Sequence, residues 1–220
     1  MATLSDREQY VTAAGRFGLT GLYDASIALT MREARWRPVL RDRLLAAVPA
    51  GGRVLDVGAG TGTLAIALAA ARPDVAVVGI DGDPAVLALA RAKPGAEAVR
   101  FEQGLAGRLD LADGSVDAAV MSLALHHLGP DAKRRALADL ARVLRPGGQL
   151  HIADWGRPAT PLLRANFFVL QMVDGFEGTR DHAAGRVSRF LREAGFEDLR
   201  RYQRLRTVWG TLEVLVATAP

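Results

Sequence analysis

Apolar residues along the middle of the chain gather into short runs, each closed by glycine, proline or an acid. Arg53–Val57, Val75–Ile80, Ala98–Glu102, Val116–Ser122 and Gln149–Ala153 have the length of strands, with apolar residues at most successive positions. Such continuity, in place of strict alternation, marks strands buried on both faces. Between them the period lengthens. Thr63–Arg72 (closed by Pro73), Ala85–Ala92 and Asp131–Leu144 (closed by Pro146-Gly147-Gly148) read as helices. Asp83 stands where an N-cap belongs, with Pro84 at the first helical position. Strands alternating with helices predict an α/β fold, a doubly wound parallel sheet covered on both sides.

The two ends depart from this alternation. In the first fifty residues Leu22, Ile27, Leu29 and Met31 form one apolar set. Trp36, Leu40, Leu44, Leu45 and Val48 form another at helical spacing, and Pro49-Ala50-Gly51-Gly52 ends it. Near the other end, Pro161–Val173 reads as an apolar helical insert. Gly175–Gly185 reads as a mobile segment with room for a lid, and Val187–Ala194 as a helix stopped by Gly195. Phe196–Leu205 and Val208–Ala217 are separated by only a short turn, so they must pair antiparallel and close the sheet with a hairpin. The expected organisation is one domain over 1–220: a helical cap at 1–50, a cofactor-binding core at 51–155, and a substrate-side insert with the hairpin at 156–220.

Composition narrows the chemistry. Half of the 220 residues are hydrophobic, which is globular, and there is no cysteine. Disulfides, thiolate nucleophiles and cysteine-based zinc sites are excluded. The apolar run Ala65–Ala71 is too short to cross a bilayer, and the N-terminus carries Asp6, Arg7 and Glu8 in place of a signal core. A cytoplasmic protein is expected. The net charge of +4 comes mostly from arginines spread among acids. Even the dense stretch Arg189–Arg206 alternates with apolar residues and contains Glu193, Glu197 and Asp198, so nucleic acid is not the expected partner.

The chemistry is concentrated in Asp56-Val57-Gly58-Ala59-Gly60-Thr61-Gly62, between a strand and a helix. Glycine permits positive φ and lets a ligand lie on bare backbone, and the helix start offers unpaired N–H groups. Three alternating glycines exceed what a plain βα turn requires. The dinucleotide fingerprint G-x-G-x-x-G would need glycine where Thr63 stands, which argues against a nicotinamide dehydrogenase. Asp56 would repel a pyrophosphate and suit a cation. Asp81, closing the next strand in Gly79-Ile80-Asp81, is placed to accept both hydroxyls of a ribose, or to form a local Asx turn. A ribose and an amino-acid-like cation together describe S-adenosyl-L-methionine.

At this point the sequence resembles the class I S-adenosylmethionine-dependent methyltransferases. The residues that carry the resemblance are Val54–Gly62, Gly79-Ile80-Asp81, Asp113-Gly114-Ser115-Val116-Asp117, Leu123-Ala124-Leu125-His126-His127-Leu128 and Leu144-Arg145-Pro146-Gly147-Gly148, in the family's order. The resemblance implies a seven-stranded, mostly parallel Rossmann-like sheet. It also implies that Asp56, Gly58, Ala59, Gly60 and Gly62 hold the methionine end. Asp81 would then hold the ribose, Gly82 would pass the adenosine, and Ser122 and Leu123 would line the sulfonium side. Gly104 and Leu105 would stand at the adenine. Many relatives have there an acid that binds the adenine amino group. Leu105 cannot accept that bond, which leaves backbone, Gln103 or Asp110. Tyr23-Asp24 and Arg32–Arg37 are similar to the N-terminal helices of quinone-biosynthesis C-methyltransferases and other small-molecule enzymes. In that group the region folds over the cofactor, which would bring Tyr23 and Arg35 to it, or else the helix simply packs as core.

Methyl transfer from a sulfonium is an in-line displacement that needs alignment and exclusion of water, and a base only where the acceptor loses a proton. His127 is the candidate base or positioning residue, with packing and capping as the other reading, which His126 favours. His151 falls within a strand and reads as structural, and the role of His182 is open. Phe167, Phe168, Leu170, Met172 and Phe176 either roof an apolar substrate pocket or form core. Asp154 alone does not make a metal site, arsenic methylation would need cysteine, and Ser122-Leu123-Ala124-Leu125 is not a base-methylation motif. The expected acceptor is a small organic molecule, apolar or aromatic, with no membrane span and a homodimer allowed for. The alternatives are a cofactor-binding sensor or partner subunit without chemistry, and an RNA or protein methyltransferase.

Overall fold

The structure is a computed structural model and describes residues 30–220. Tyr23 and the apolar set Leu22, Ile27 and Leu29 lie outside the described residues. The elements in order are α1 (Glu33–Ala46), β1 (Arg53–Val57), α2 (Thr63–Ala71), β2 (Ala76–Asp81), α3 (Pro84–Arg91), β3 (Val99–Gln103), β4 (Val116–Ser122), α4 (Pro130–Val143), β5 (Leu144–Gly156), α5 (Pro161–Asp174), α6 (Phe176–Ala183), α7 (Val187–Glu193), β6 (Glu197–Arg206) and β7 (Thr211–Thr218).

The sheet has seven strands in the order β3-β2-β1-β4-β5-β7-β6. The first five run parallel, and β7 pairs antiparallel with both β5 and β6, as the tight hairpin requires. The order reverses between β1 and β4. At such a switch point the loops leaving the carboxyl ends diverge and open a crevice. Successive side chains of each strand feed opposite faces. Val54, Val77 and Val120 join Trp36, Leu40, Leu44, Leu64, Leu68 and Leu87 from α1, α2 and α3. Leu55, Val78 and Met121 join Leu137, Leu140, Phe190 and Leu191 from α4 and α7.

Local chemistry sets the boundaries. Asp83 caps α3, its carboxylate accepting from the Ala85 N–H at 2.8 Å, with Pro84 at the first turn. Thr160 caps α5 through the Leu163 N–H. Two segments differ from expectation. Pro146-Gly147-Gly148 does not separate a helix from a strand. It forms a bulge inside β5, whose register with β4 jumps there. Gly147, at φ +75°, donates to the Ala219 carbonyl, and the Ala219 N–H donates back to Gly148. Gly175–Gly185 is no loop. It is mostly α6, held to the body by buried Thr179, Asp181 and His182. Thr179 accepts from Gln171 Nε2 and donates to the Gly175 carbonyl. A lid there is replaced by a packed helix.

Candidate active site

A cavity of about 450 Å³ opens at the switch point, a volume within the ordinary range of ligand sites. Its floor is the glycine turn. Gly58, Gly60 and Gly62 all have positive φ, between 55° and 75°. Their roles differ. A Cβ on Gly60 would meet nothing within 4 Å, so this glycine supplies backbone conformation on the open side. A Cβ on Gly58 would come within 2.5 Å of the Ala124 Cβ, so the turn lies directly against the loop after β4. Gly62 does not line the cavity. A Cβ there would overlap Phe101 and Ala90, so it lets α2 pack close to its neighbours.

Asp81 stands at the end of β2 and lines the cavity. Its carboxylate accepts the Gly60 N–H at 2.8 Å and the Asp83 N–H at 3.0 Å, so it both makes the local turn and ties the glycine loop down. Gly82, Gly104, Leu105 and Ala106 continue the wall from there. Gln103 is turned away, donating to the Gly82 carbonyl at 3.2 Å, and Asp110 is exposed outside the cavity. The wall where adenine is expected is therefore backbone and apolar carbon, with Arg135 of α4 also lining the cavity.

Beneath the turn, Asp56 is 1 % exposed and does not itself line the cavity; neither carboxylate oxygen makes a hydrogen bond of good geometry among the described residues, although the Ala65 N–H favours its ionised form. Burial raises its pKa to about 7, with Arg37 opposing and Asp81 reinforcing the shift. Arg37 is similarly placed. Its Nε and Nη1 are buried without a hydrogen bond, although Glu33 lies 3.0 Å from Nε as an ion pair. A buried carboxylate without a well-formed hydrogen bond is costly and invites a ligand. The partly buried Arg37 guanidinium lines the cavity and the Asp56 carboxylate is buried beneath its floor, charges of the two signs that the carboxylate and ammonium of an amino acid call for. The residues present therefore fit the expected cofactor at this end.

Arg35 does not fulfil its expected role. It is exposed and outside the cavity, because the buried stripe of α1 runs through Trp36, Leu40 and Leu44 and carries Glu33 and Arg37 inward. The same helical spacing, extended to polar residues, would have singled out Arg37. Lys93 was also missed. It lines the rim and donates to Thr61 and Thr63 at 2.7 and 2.8 Å.

On the opposite wall stand Met121, Ser122, Leu123, Ala124, His127 and Leu128. Leu123 has φ 52°, a strained value for a branched residue, and its N–H is fixed to the Ala153 carbonyl at 2.8 Å. A 3₁₀ turn, Leu125–His127, follows. Among the four histidines of the chain only His127 lines the cavity. Burial, then the neighbouring His126, lowers its pKa to about 3, so it is neutral at physiological pH and a weak base. His126 is buried against Asp154 at 2.7 Å. His151 bonds the Tyr202 hydroxyl at 2.5 Å, away from the cavity. His182 is buried against the Trp155 carbonyl at 2.7 Å. The α5 insert does not roof the cavity. Phe167 packs on Trp155, while Phe168, Met172 and Phe176 face outward, and none of them lines it. Among the described residues no group of three or more acids or histidines could hold a metal ion.

Residues 54–148 match the family model of the methyltransferase domain. The demethylmenaquinone methyltransferase of Deinococcus radiodurans is 40% identical over 60% of this chain and 54% of its own length, so the chain spans about half of that relative. An uncharacterised methyltransferase of Synechocystis is 30% identical over 79% of this chain and 78% of its own. In fold, the chain is similar to a Haloferax volcanii methyltransferase solved in complex with the Trm112 methyltransferase activator. The TM-score is 0.68 and the identity 22%, over 90% of this chain and 94% of that one. With the switch-point cavity, the glycine turn and Asp81 at the end of β2 in place, the chain belongs to the class I S-adenosylmethionine-dependent methyltransferases.

Proposed function

We propose that this chain moves a methyl group to a small, largely apolar acceptor such as a reduced aromatic quinone, as a single soluble domain of the cytoplasm. The observation that carries the reading is the wall of the cavity opposite the glycine turn. Met121, Leu123, Ala124 and Leu128 line it together with one neutral imidazole, that of His127. A cavity of about 450 Å³ is in the range of small-molecule sites, which supports an acceptor of that size. That relatives such as the Deinococcus enzyme are named for a quinone precursor supports the same class.

The cofactor, when bound, supplies an electrophilic methyl on a sulfonium. The rest is positioning by the chain. Asp56 and Arg37 bind the amino-acid end; Gly58, Ala59 and Gly60 offer bare backbone. Asp81 holds the ribose, while Gly82, Gly104 and Leu105 flank the adenine. Ser122 and Leu123 set the direction of the sulfonium. His127 hydrogen-bonds the acceptor and orients its nucleophilic atom, a role its low basicity suits better than proton removal. With a quinol acceptor, the proton displaced from the hydroxyl oxygen or from the methylated ring carbon leaves to water.

The test is turnover of methyl-labelled cofactor with a panel of reduced 1,4-naphthoquinones, phenols and small carboxylic acids. Labelled product from the aromatic members is expected. Tight cofactor binding with no product from any member would refute the acceptor class and favour a sensor.

A further inference from the structure

The acceptor wall is backed by buried charge that the transfer step itself does not use. Asp154, 2 % exposed near the end of β5, makes three hydrogen bonds. Oδ1 pairs with His126 Nδ1 at 2.7 Å and accepts the Trp155 N–H at 2.6 Å, and Oδ2 accepts the backbone N–H of His126 at 3.2 Å. The carboxylate thus grips both ring and main chain of the residue that precedes His127. On its other side, His126 Nε2 lies 3.7 Å from Asp174 at the end of α5. The His126 carbonyl is pressed against Gly178 of α6, where any side chain would overlap it. The rings of His126 and His127 are 4.0 Å apart.

We propose that Asp154, acting through His126, is the positioning residue for His127 and hence for the methyl acceptor. A carboxylate that fixes one imidazole and its backbone together leaves the 3₁₀ turn a single orientation, and His127 enters the cavity wall as a consequence. Every element packed against His126 contributes a group facing it: Asp154 from β5, Asp174 from α5, Lys133 from α4, His182 from α6, and His127 from its own turn. Burial opposes a charge on His126, but Asp154 and then Asp174 outweigh it, and its pKa is raised. The ring so held sits behind His127, whose own pKa is lowered by burial first and by His126 second, and whose Nδ1 has no partner among the described residues. Asp154 is a better anchor than a neutral amide would be, because its two oxygens accept three hydrogens at once. Its position also makes the acceptor wall answer to α5 and α6 without those helices touching the cavity.

The effect on the acceptor rests on the reading under Proposed function, whereas the effect on the histidines does not. The test is therefore made in two parts. Nitrogen-15 NMR of the histidine rings, with S-adenosylhomocysteine bound, is recorded for the unaltered protein and for Asp154→Asn between pH 5 and 8. The His126 titration is expected at lower pH in the variant than in the unaltered protein, and the ring resonances of His127, neutral throughout this range, are expected to move with it, since the two rings are 4.0 Å apart. Affinity for S-adenosylhomocysteine should stay within three-fold, since Asp56 and Asp81 lie on other strands. A His126 titration or a set of His127 ring resonances that ignores Asp154→Asn overturns the proposal. Should Asp154→Asn not fold, Asp174→Asn gives the same readout from the partly exposed side, with a smaller shift in the same direction. For turnover, a reduced 1,4-naphthoquinone is the probe. Asp154→Asn is expected to lower kcat at least ten-fold, with the cofactor KM within three-fold, and an unchanged kcat also overturns it. If the unaltered protein methylates no quinol, the proposed function fails, and the NMR result still decides this inference.

Discussion

Replacing Asp56 by asparagine should make the ligand-free protein more stable at pH 8 and poorer at binding its cofactor. The carboxylate is fully buried, and burial raises its pKa from 3.8 to about 7. Its folded-state value lies above the unfolded one, so the folded chain keeps the proton longer. The resulting stability is complete below about pH 4 and is lost as pH rises to about 7. At 1.36 kcal/mol per pH unit, ionised Asp56 costs the ligand-free protein about 4 kcal/mol at pH 8. Asparagine removes that cost and keeps the shape. Urea unfolding should show a gain of about 4 kcal/mol for Asp56→Asn at pH 8, about 1.6 kcal/mol at pH 5, and almost none below pH 4. Binding should show the opposite. A cationic ligand ammonium needs Asp56 ionised, so at pH 5.5 binding must first remove a proton at a cost of about 2 kcal/mol, roughly thirty-fold in Kd. Calorimetry with S-adenosylhomocysteine in buffers of different ionisation heat would register that proton directly. Affinity that is flat between pH 5.5 and 8, with no proton released, would refute the assignment of Asp56 to the ammonium.

Asp81→Ala removes two charge-assisted acceptors of the loop together with the ribose contact, and calorimetry should show S-adenosylhomocysteine affinity falling by at least ten-fold. Gly58→Ala places a Cβ against Ala124 at positive φ. A loss of about 1–3 kcal/mol in unfolding free energy is expected, with weakened cofactor binding. Leu105→Ala should weaken binding of adenosine, the fragment without the methionine end, by about ten-fold through lost apolar contact. His151 and His182 are buried and neutral, with pKa values near 4, so the unfolded chain binds protons first on acidification. Thermal melts should lose stability from about pH 6.5 down to 4, by up to about 3 kcal/mol for each histidine, and His182→Gln should remove part of that slope.

The features that could be read in the sequence are those fixed by neighbours in the chain. β1 and β4 have the expected bounds because apolar continuity marks a strand buried on both faces. The glycine turn and Asp81 were legible because a backbone that must adopt positive φ advertises itself by glycine. What was hidden depends on distant partners. Gly175–Gly185 is polar and glycine-rich, and nothing local reveals that Lys133 will pair with Asp181 or that the Trp155 carbonyl will take His182. The Pro146-Gly147-Gly148 signal was sound as a break in α4, yet its bonds to Ala219 make it a bulge within β5. Arg35 was preferred to Arg37 by resemblance alone, although the buried stripe of α1 distinguishes them.

The contact between Gly58 and Ala124 bears on how such a protein can change its substrate. A Cβ at Gly58 can be taken in only if the loop after β4 gives way, so the floor and the facing wall of the cavity are set by one contact. Variation that spares this contact is open on α4, where Ala132 lines the cavity from an element of its own.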